Sequence, residues 1–288
     1  MVGPESEVVN FDLRDVSEEL IRGQQERARG DLDAYIVSFV RDHRGCGSGT
    51  LATAFGVFGV LTAHHVAHNL FSREGRLVGL VITKEAAAFS LEKEDVEVID
   101  LAWSGRYSEE GPDLAFVRIL NPELLGTVKG KKSFVPLEQP FIDGYERAFH
   151  PKLNPTPWVV AGAPACLEEH VGDIGKPGHI LKVAHFAGDV DFVSASDVGG
   201  FDLLQFRSVI GEGGYPQDYE GVSGGGLWFC PFEYVPEQGL QSMRSMPPRL
   251  AGVIFYRFYG DGIQELVAHG PRSVYGLALQ GLRERFGG

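Results

Sequence analysis

The chain has 288 residues, 43% hydrophobic and 23% charged, with 38 glycines and 16 prolines. Such a chain can bury a core, which excludes disordered, collagen-like and repeat-array classes, and its many turn formers favour an all-β fold. A formal net charge of −13 without any run of Lys or Arg argues against nucleic acid and against anionic membrane surfaces, because both need clustered cations.

The N-terminus, from Met1 to Glu7, carries neither a basic segment nor an apolar one. No secretory leader and no spanning helix are expected, and a cytoplasmic location follows as an expectation. Asp15 to Arg29 is highly charged and rich in helix formers, so a surface helix is predicted over 16–29, ending at Gly30. From Ala34 the pattern changes to short apolar runs separated by turns: 34–40, 45–55, 56–62, 79–83, 96–100 and 114–119. Residues 121–156 hold five prolines and read as a long connection. A second β series follows at 158–162, 180–184, 203–206, 226–229 and 250–256, and apolar residues at 274, 277, 279 and 282 predict a closing helix. The three cysteines, Cys46, Cys166 and Cys230, are odd in number and unpaired in spacing, so no disulfide framework is expected.

Three segments carry chemistry. Leu61-Thr62-Ala63-His64-His65-Val66 follows a glycine-rich β stretch, Asp113 opens the apolar run Leu114-Ala115-Phe116-Val117, and Gly221-Val222-Ser223-Gly224-Gly225 sets a serine among glycines ahead of an apolar strand. Acyl transfer needs an activated hydroxyl, a base, an acid that fixes the base's tautomer, and donors for the oxyanion. Glycines flanking the serine permit positive φ and let backbone N–H groups converge beside it.

These segments resemble the three catalytic motifs of the trypsin-like, chymotrypsin-fold serine peptidases, in the order His, Asp, Ser. Gly47-Ser48-Gly49-Thr50-Leu51 is similar to the strand before the histidine in bacterial members. The resemblance implies two six-stranded antiparallel β-barrels with an N-terminal and a C-terminal helix. It implies an extension over 1–33, a first barrel over 34–130 carrying His65 and Asp113, a linker over 131–156, and a second barrel over 157–288 carrying Ser223. It implies a serine endopeptidase without metal or cofactor. Ser223 is then the nucleophile, His65 the base, Asp113 its orienter, and the N–H groups of Gly221 and Ser223 the oxyanion hole. Gln217, Asp218, Phe255, Tyr256 and Arg257 would line the substrate site, and Asp218 at a pocket floor would select basic side chains. The implied partners are a peptide or protein substrate and an activating protein. Val222 stands where digestive members have Asp, Gly226 replaces the usual Pro, and Phe255 falls where many members have a Ser that bonds the catalytic Asp. Asp113 then lacks one hydrogen bond or finds it elsewhere.

Other readings compete. His64 and His68 stand four apart, as zinc ligands on a helix do, but neither a following Glu nor a Cys pair accompanies them. The stretch from Gly221 to Gly225 also fits the nucleophile elbow of an α/β-hydrolase, with Asp261 and His269 as its acid and base. The polar stretch before Ser223 and the short remaining chain oppose that reading. A catalytically silent binding module on the protease fold is the alternative from a different class.

Overall fold

The structure, a computed structural model, describes residues 18–71, 78–82, 89–101, 112–139, 158–172, 174, 180–233, 244–245, 247–260 and 263–288. Helix α1 (Glu18–Leu32) leads into strands β1 (Ile36–Arg41), β2 (Arg44–Ala54) and β3 (Val57–Thr62), then α2 (His64–Phe71), β4 (Val78–Val81), β5 (Phe89–Leu91), β6 (Val96–Asp100) and β7 (Ala115–Ile119). These strands form an antiparallel sheet in the order β5-β4-β1-β2-β3-β7-β6. Helix α3 (Pro122–Lys131) then leads to β8 (Val135–Pro136), which adds in parallel to β2.

The second half runs β9 (Trp158–Gly162), the ribbon β10 (Glu169–Val171) and β11 (Ile180–Lys182), β12 (Phe186–Asp189), β13 (Asp191–Val198), β14 (Phe201–Ser208) and β15 (Gly226–Phe229). After a small ribbon, β16 (Phe232–Glu233) with β17 (Arg244–Ser245), come the long strands β18 (Arg249–Gly260) and β19 (Ile263–His269). The sheet order is β12-β9-β15-β18-β19-β14-β13. A π-helical turn (Arg272–Ala278) continues into α4 (Leu279–Phe286).

The expected chymotrypsin-like arrangement, two antiparallel β halves with a helix at either end, is present. Short edge strands extend each sheet beyond the six strands expected. Part of the stretch expected as a connection is α3, whose start was readable: Asn121 caps the N–H groups of Glu123 and Leu124, and Pro122 occupies the first turn. The rest of that connection, 140–156, lies outside the described residues, as do the first 17 residues and Asp261.

Why α1 outlasts Gly30 is visible in its burial. Ala28 and Leu32 are buried in the cluster that joins the two sheets, so packing overrides the glycine stop. Arg29 pairs with Asp189 on β12, and Asp33 accepts from His185 Nδ1 at 2.8 Å and pairs with Lys132 Nζ at 3.3 Å. That cluster gathers Leu61 and Phe116 of the first sheet, Val159 and Trp228 of the second, and Val274 and Leu282 of the C-terminal helix. Among the described residues no helix is long and apolar enough to cross a membrane.

Trp228 is fully buried between the sheets, its ring 5.1 Å from that of Tyr35. Truncation there opens a cavity that both sheets border. Trp228→Ala is expected to cost about 3–5 kcal/mol of stability, read as a lowered midpoint in urea unfolding.

Candidate active site

Asp113 lies just before β7, and His65 lies in the first turn of α2, directly after β3. Because β3 and β7 pair, with Thr62 opposite Ala115, both motifs emerge at the same end of the first sheet. Asp113 Oδ1 accepts the His65 backbone N–H at 2.9 Å, and Oδ2 contacts His65 Nδ1 at 2.6 Å. The carboxylate therefore caps the start of α2, where helical N–H groups lack intrahelical partners, and also grips the ring. The Asp113 side chain is 5% exposed and that of His65 is 40% exposed, so the acid is sealed while the base faces solvent. Burial alone would raise the Asp113 carboxyl, but the hydrogen bonds and charge of His65 outweigh it and hold the group below its usual value.

His64 turns the other way. Its Nε2 meets Asp100 Oδ1 at 3.2 Å, its ring stacks on His68 at 5.6 Å, and burial holds it below the usual histidine range. The doubled histidine is thus resolved in favour of His65 as the ring facing Asp113. Among the described residues no group of three or more His, Cys, Asp or Glu is placed to hold a metal.

The serine loop comes from the second half. Gly221 and Gly224 have φ of +87° and +86°. A Cβ on Gly224 would overlap Thr62 Oγ1 and the Ser48 carbonyl, so only glycine lets the loop touch the first sheet. Val222 is buried against residues of the second sheet that include Val160, Leu227 and Ile254, so apolar packing anchors this position, where digestive members have an Asp. Within the loop, Val222 N–H donates to Tyr219 O and Gly225 N–H to Val222 O, while Gly224 N–H donates to Ile254 O on β18. The N–H groups of Gly221 and Ser223 make no hydrogen bond among the described residues.

Ser48 holds this loop, a role that sequence reasoning did not give it. Its N–H donates to Ser223 O at 2.8 Å, its Oγ donates to Gly221 O at 2.7 Å and accepts from Ala163 N at 2.8 Å, and its carbonyl accepts from Thr62 Oγ1 at 2.7 Å. One buried residue on β2 thus fixes the carbonyls on either side of Val222, that of Gly221 through its side chain and that of Ser223 through its backbone N–H. The glycine-serine-glycine pattern was the available signal. On a Cβ added to Gly47, Val66 Cγ1 would lie at 2.5 Å and Ser223 O at 3.3 Å, so α2 and the Ser223 backbone both crowd the space beside that glycine. Among the described residues no hydrogen bond joins Ser223 to the His65 ring.

The expected substrate-site residues divide. Asp218 pairs with Arg257, whose other nitrogen lies 3.9 Å from Glu220, so the acid expected at a pocket floor carries its own cation. Gln217 is exposed. Phe255 is buried, its ring stacked at 4.0 Å on His269, whereas Tyr256 is 38% exposed and meets Phe258 edge-on at 4.6 Å. With Phe255 offering no hydroxyl to Asp113, the further contact found is to its backbone, whose N–H donates to His269 Nε2 at 2.8 Å.

No family model and no curated protein matches the sequence. Solved structures of similar fold include the serine protease domain of the Sesbania mosaic virus polyprotein, at 17% identity over 83% of this chain and 90% of that one, with a TM-score of 0.39. Another is neuropsin, a serine protease of the mouse limbic system, at 15% identity over 83% and 89%, TM-score 0.43. A third belongs to work on aromatic interactions in the coupled folding and binding of the disordered Sesbania mosaic virus VPg protein, at 15% identity over 86% and 91%, TM-score 0.42.

Burial holds His269 down to about 3, against an ordinary histidine value of 6.5. The unfolded chain therefore takes up a proton near pH 6.5 that the folded chain refuses, and stability falls as pH drops from there toward 3. The lowered Asp113 acts in the same sense: its contribution is present above the ordinary carboxylate range and is lost as pH falls through its folded value. Between pH 6.5 and 4, His269 alone is expected to lower unfolding free energy by about 1.4 kcal/mol per pH unit. Urea unfolding at stepped pH reads this slope; a flat profile there contradicts it.

Proposed function

We propose that the protein is a serine endopeptidase that cleaves peptide bonds through an acyl-enzyme, with Ser223 as nucleophile, His65 as base and then acid, and Asp113 as orienter. The observation that carries this reading is the double contact of a buried Asp113 carboxylate with a half-exposed His65. The Oδ2 contact keeps the proton on Nδ1 and leaves the Nε2 lone pair for a serine hydroxyl. In the first step Ser223 Oγ bonds to the peptide carbonyl carbon while its proton passes to Nε2. The carbonyl oxygen becomes an oxyanion facing the N–H groups of Gly221 and Ser223, which no other acceptor among the described residues uses. The C–N bond then breaks as His65 gives that proton to the leaving amine. Water repeats the sequence on the ester, its proton passing through His65 back to Ser223, and the acid product leaves.

Tyr256 and Arg257 follow Ile254, whose carbonyl holds the Gly224 N–H, so β18 carries them along the flank of the nucleophile loop. There they serve as substrate contacts, with Gln217 and Asp218. The Arg257–Asp218 pair offsets the charge that would otherwise draw a basic side chain. The partner is a peptide or protein substrate.

A second reading is favoured by the missing hydrogen bond between Ser223 and His65: a catalytically silent module, or an enzyme completed by an activating protein. Hydrogen bonds of this kind are often long before substrate arrives. A peptide-library digest with mass-spectrometric readout separates the readings. The enzyme reading expects cleavage by wild type, none by Ser223→Ala, and a loss of about 10⁴-fold in kcat for Asp113→Asn. Cleavage that survives Ser223→Ala refutes it.

A further inference from the structure

We propose that His269 is a positioning residue of this site, holding the Asp113 backbone from the second sheet so that the carboxylate keeps its aim at His65. The catalytic consequence rests on the peptidase reading; the structural role does not. A backbone N–H can only donate, so the 2.8 Å contact with Asp113 N requires a lone pair on His269 Nε2. The ring is then neutral and carries its proton on Nδ1. That Nδ1 is buried and has no hydrogen-bond partner among the described residues. Burying a donor unpaired is unfavourable, and a leucine at this strand end would avoid it, so packing alone gives no reason for a histidine here.

The surroundings fix the ring's plane. Phe255 lies against one face at 4.0 Å and 13°, and Phe201 meets it edge-on at 5.7 Å. The backbone of His269 is pinned in register between Leu203 of β14 and Val253 of β18. Asp113 is the charged group that acts on the ring, and the elements packed on it present phenylalanines.

On the other side, every polar group of Asp113 is occupied: the N–H by His269, the carbonyl by His64 N–H at 3.2 Å, and the two carboxylate oxygens by His65. Without the Nε2 acceptor, the Asp113 N–H is left buried and unpaired, and the Pro112–Asp113 peptide is held, among the described residues, only by the Leu114 N–H on the Pro112 carbonyl at 2.9 Å. The carboxylate loses part of its aim, and small misplacements of reacting groups are costly to rate.

The test compares His269→Phe, which keeps a ring against Phe255 but removes the acceptor, with His269→Gln, which restores one. On the best peptide found in the library, His269→Phe is expected to lose about 10²-fold in kcat with little change in KM. The acid limb of its rate profile should move to lower pH, because the imidazolium loses its aligned counter-ion. His269→Gln should recover most of the loss. Wild-type kcat and an unmoved limb in folded His269→Phe overturn the proposal. If that variant does not fold, or if wild type cleaves nothing (an outcome that counts against the peptidase reading alone), nitrogen NMR of the wild-type imidazoles decides. A neutral Nδ1–H tautomer at His269 throughout mildly acidic and neutral pH supports the role, and an Nε2–H tautomer overturns it.

Discussion

Both oxygens of one buried carboxylate close on one histidine, and the candidate site is built around that contact. Asp113 takes the His65 backbone N–H with one oxygen and the ring nitrogen with the other, so the start of α2 and the imidazole are fixed together. Rotation of the ring would break a charge-assisted hydrogen bond at 2.6 Å in a place that water barely reaches. The first sheet makes this arrangement by pairing β3 with β7, which delivers both motifs to one edge.

The second sheet contributes from two directions. From one side Ser48 of the first sheet reaches across to the serine loop and holds it by its carbonyls, while Gly224 lies against Thr62 and Ser48. From the other side His269 reaches back to the Asp113 backbone. The shared apolar cluster beneath, with Trp228 at its centre, keeps the two sheets in the register these contacts need. Among the described residues the N–H groups of Gly221 and Ser223 find no acceptor, while Val222 and Gly225 donate within the loop and Gly224 to Ile254 of β18.

Much of this was legible in the sequence. The alternation of short apolar runs gave the all-β halves, and the histidine, aspartate and serine motifs each stood at the edge of such a run. Choosing His65 over its neighbour agrees with the ring that faces Asp113. What the sequence withheld depends on contacts between distant segments. His269 could be read only as a component of another enzyme class, because nothing local shows that β19 ends beneath Asp113. The Arg257–Asp218 pair joins strand β18 to the segment before Ser223, and only the folded sheet brings the two together. The extension of α1 past Gly30 reflects the burial of Ala28 and Leu32, a tertiary effect that outweighs a local stop signal. Helix α3 is different: Asn121-Pro122-Glu123 is a start signal in plain view, overshadowed by the proline-rich stretch around it.

The central claim is that the Asp113–His65 pair makes Ser223 a nucleophile. The most direct measurement is labelling with a fluorophosphonate, followed by digestion and mass-spectrometric location of the adduct. The account predicts stoichiometric phosphonylation at Ser223, abolished by His65→Ala with the fold intact. An adduct on another residue, or labelling of Ser223 that persists in His65→Ala at the wild-type rate, would contradict it.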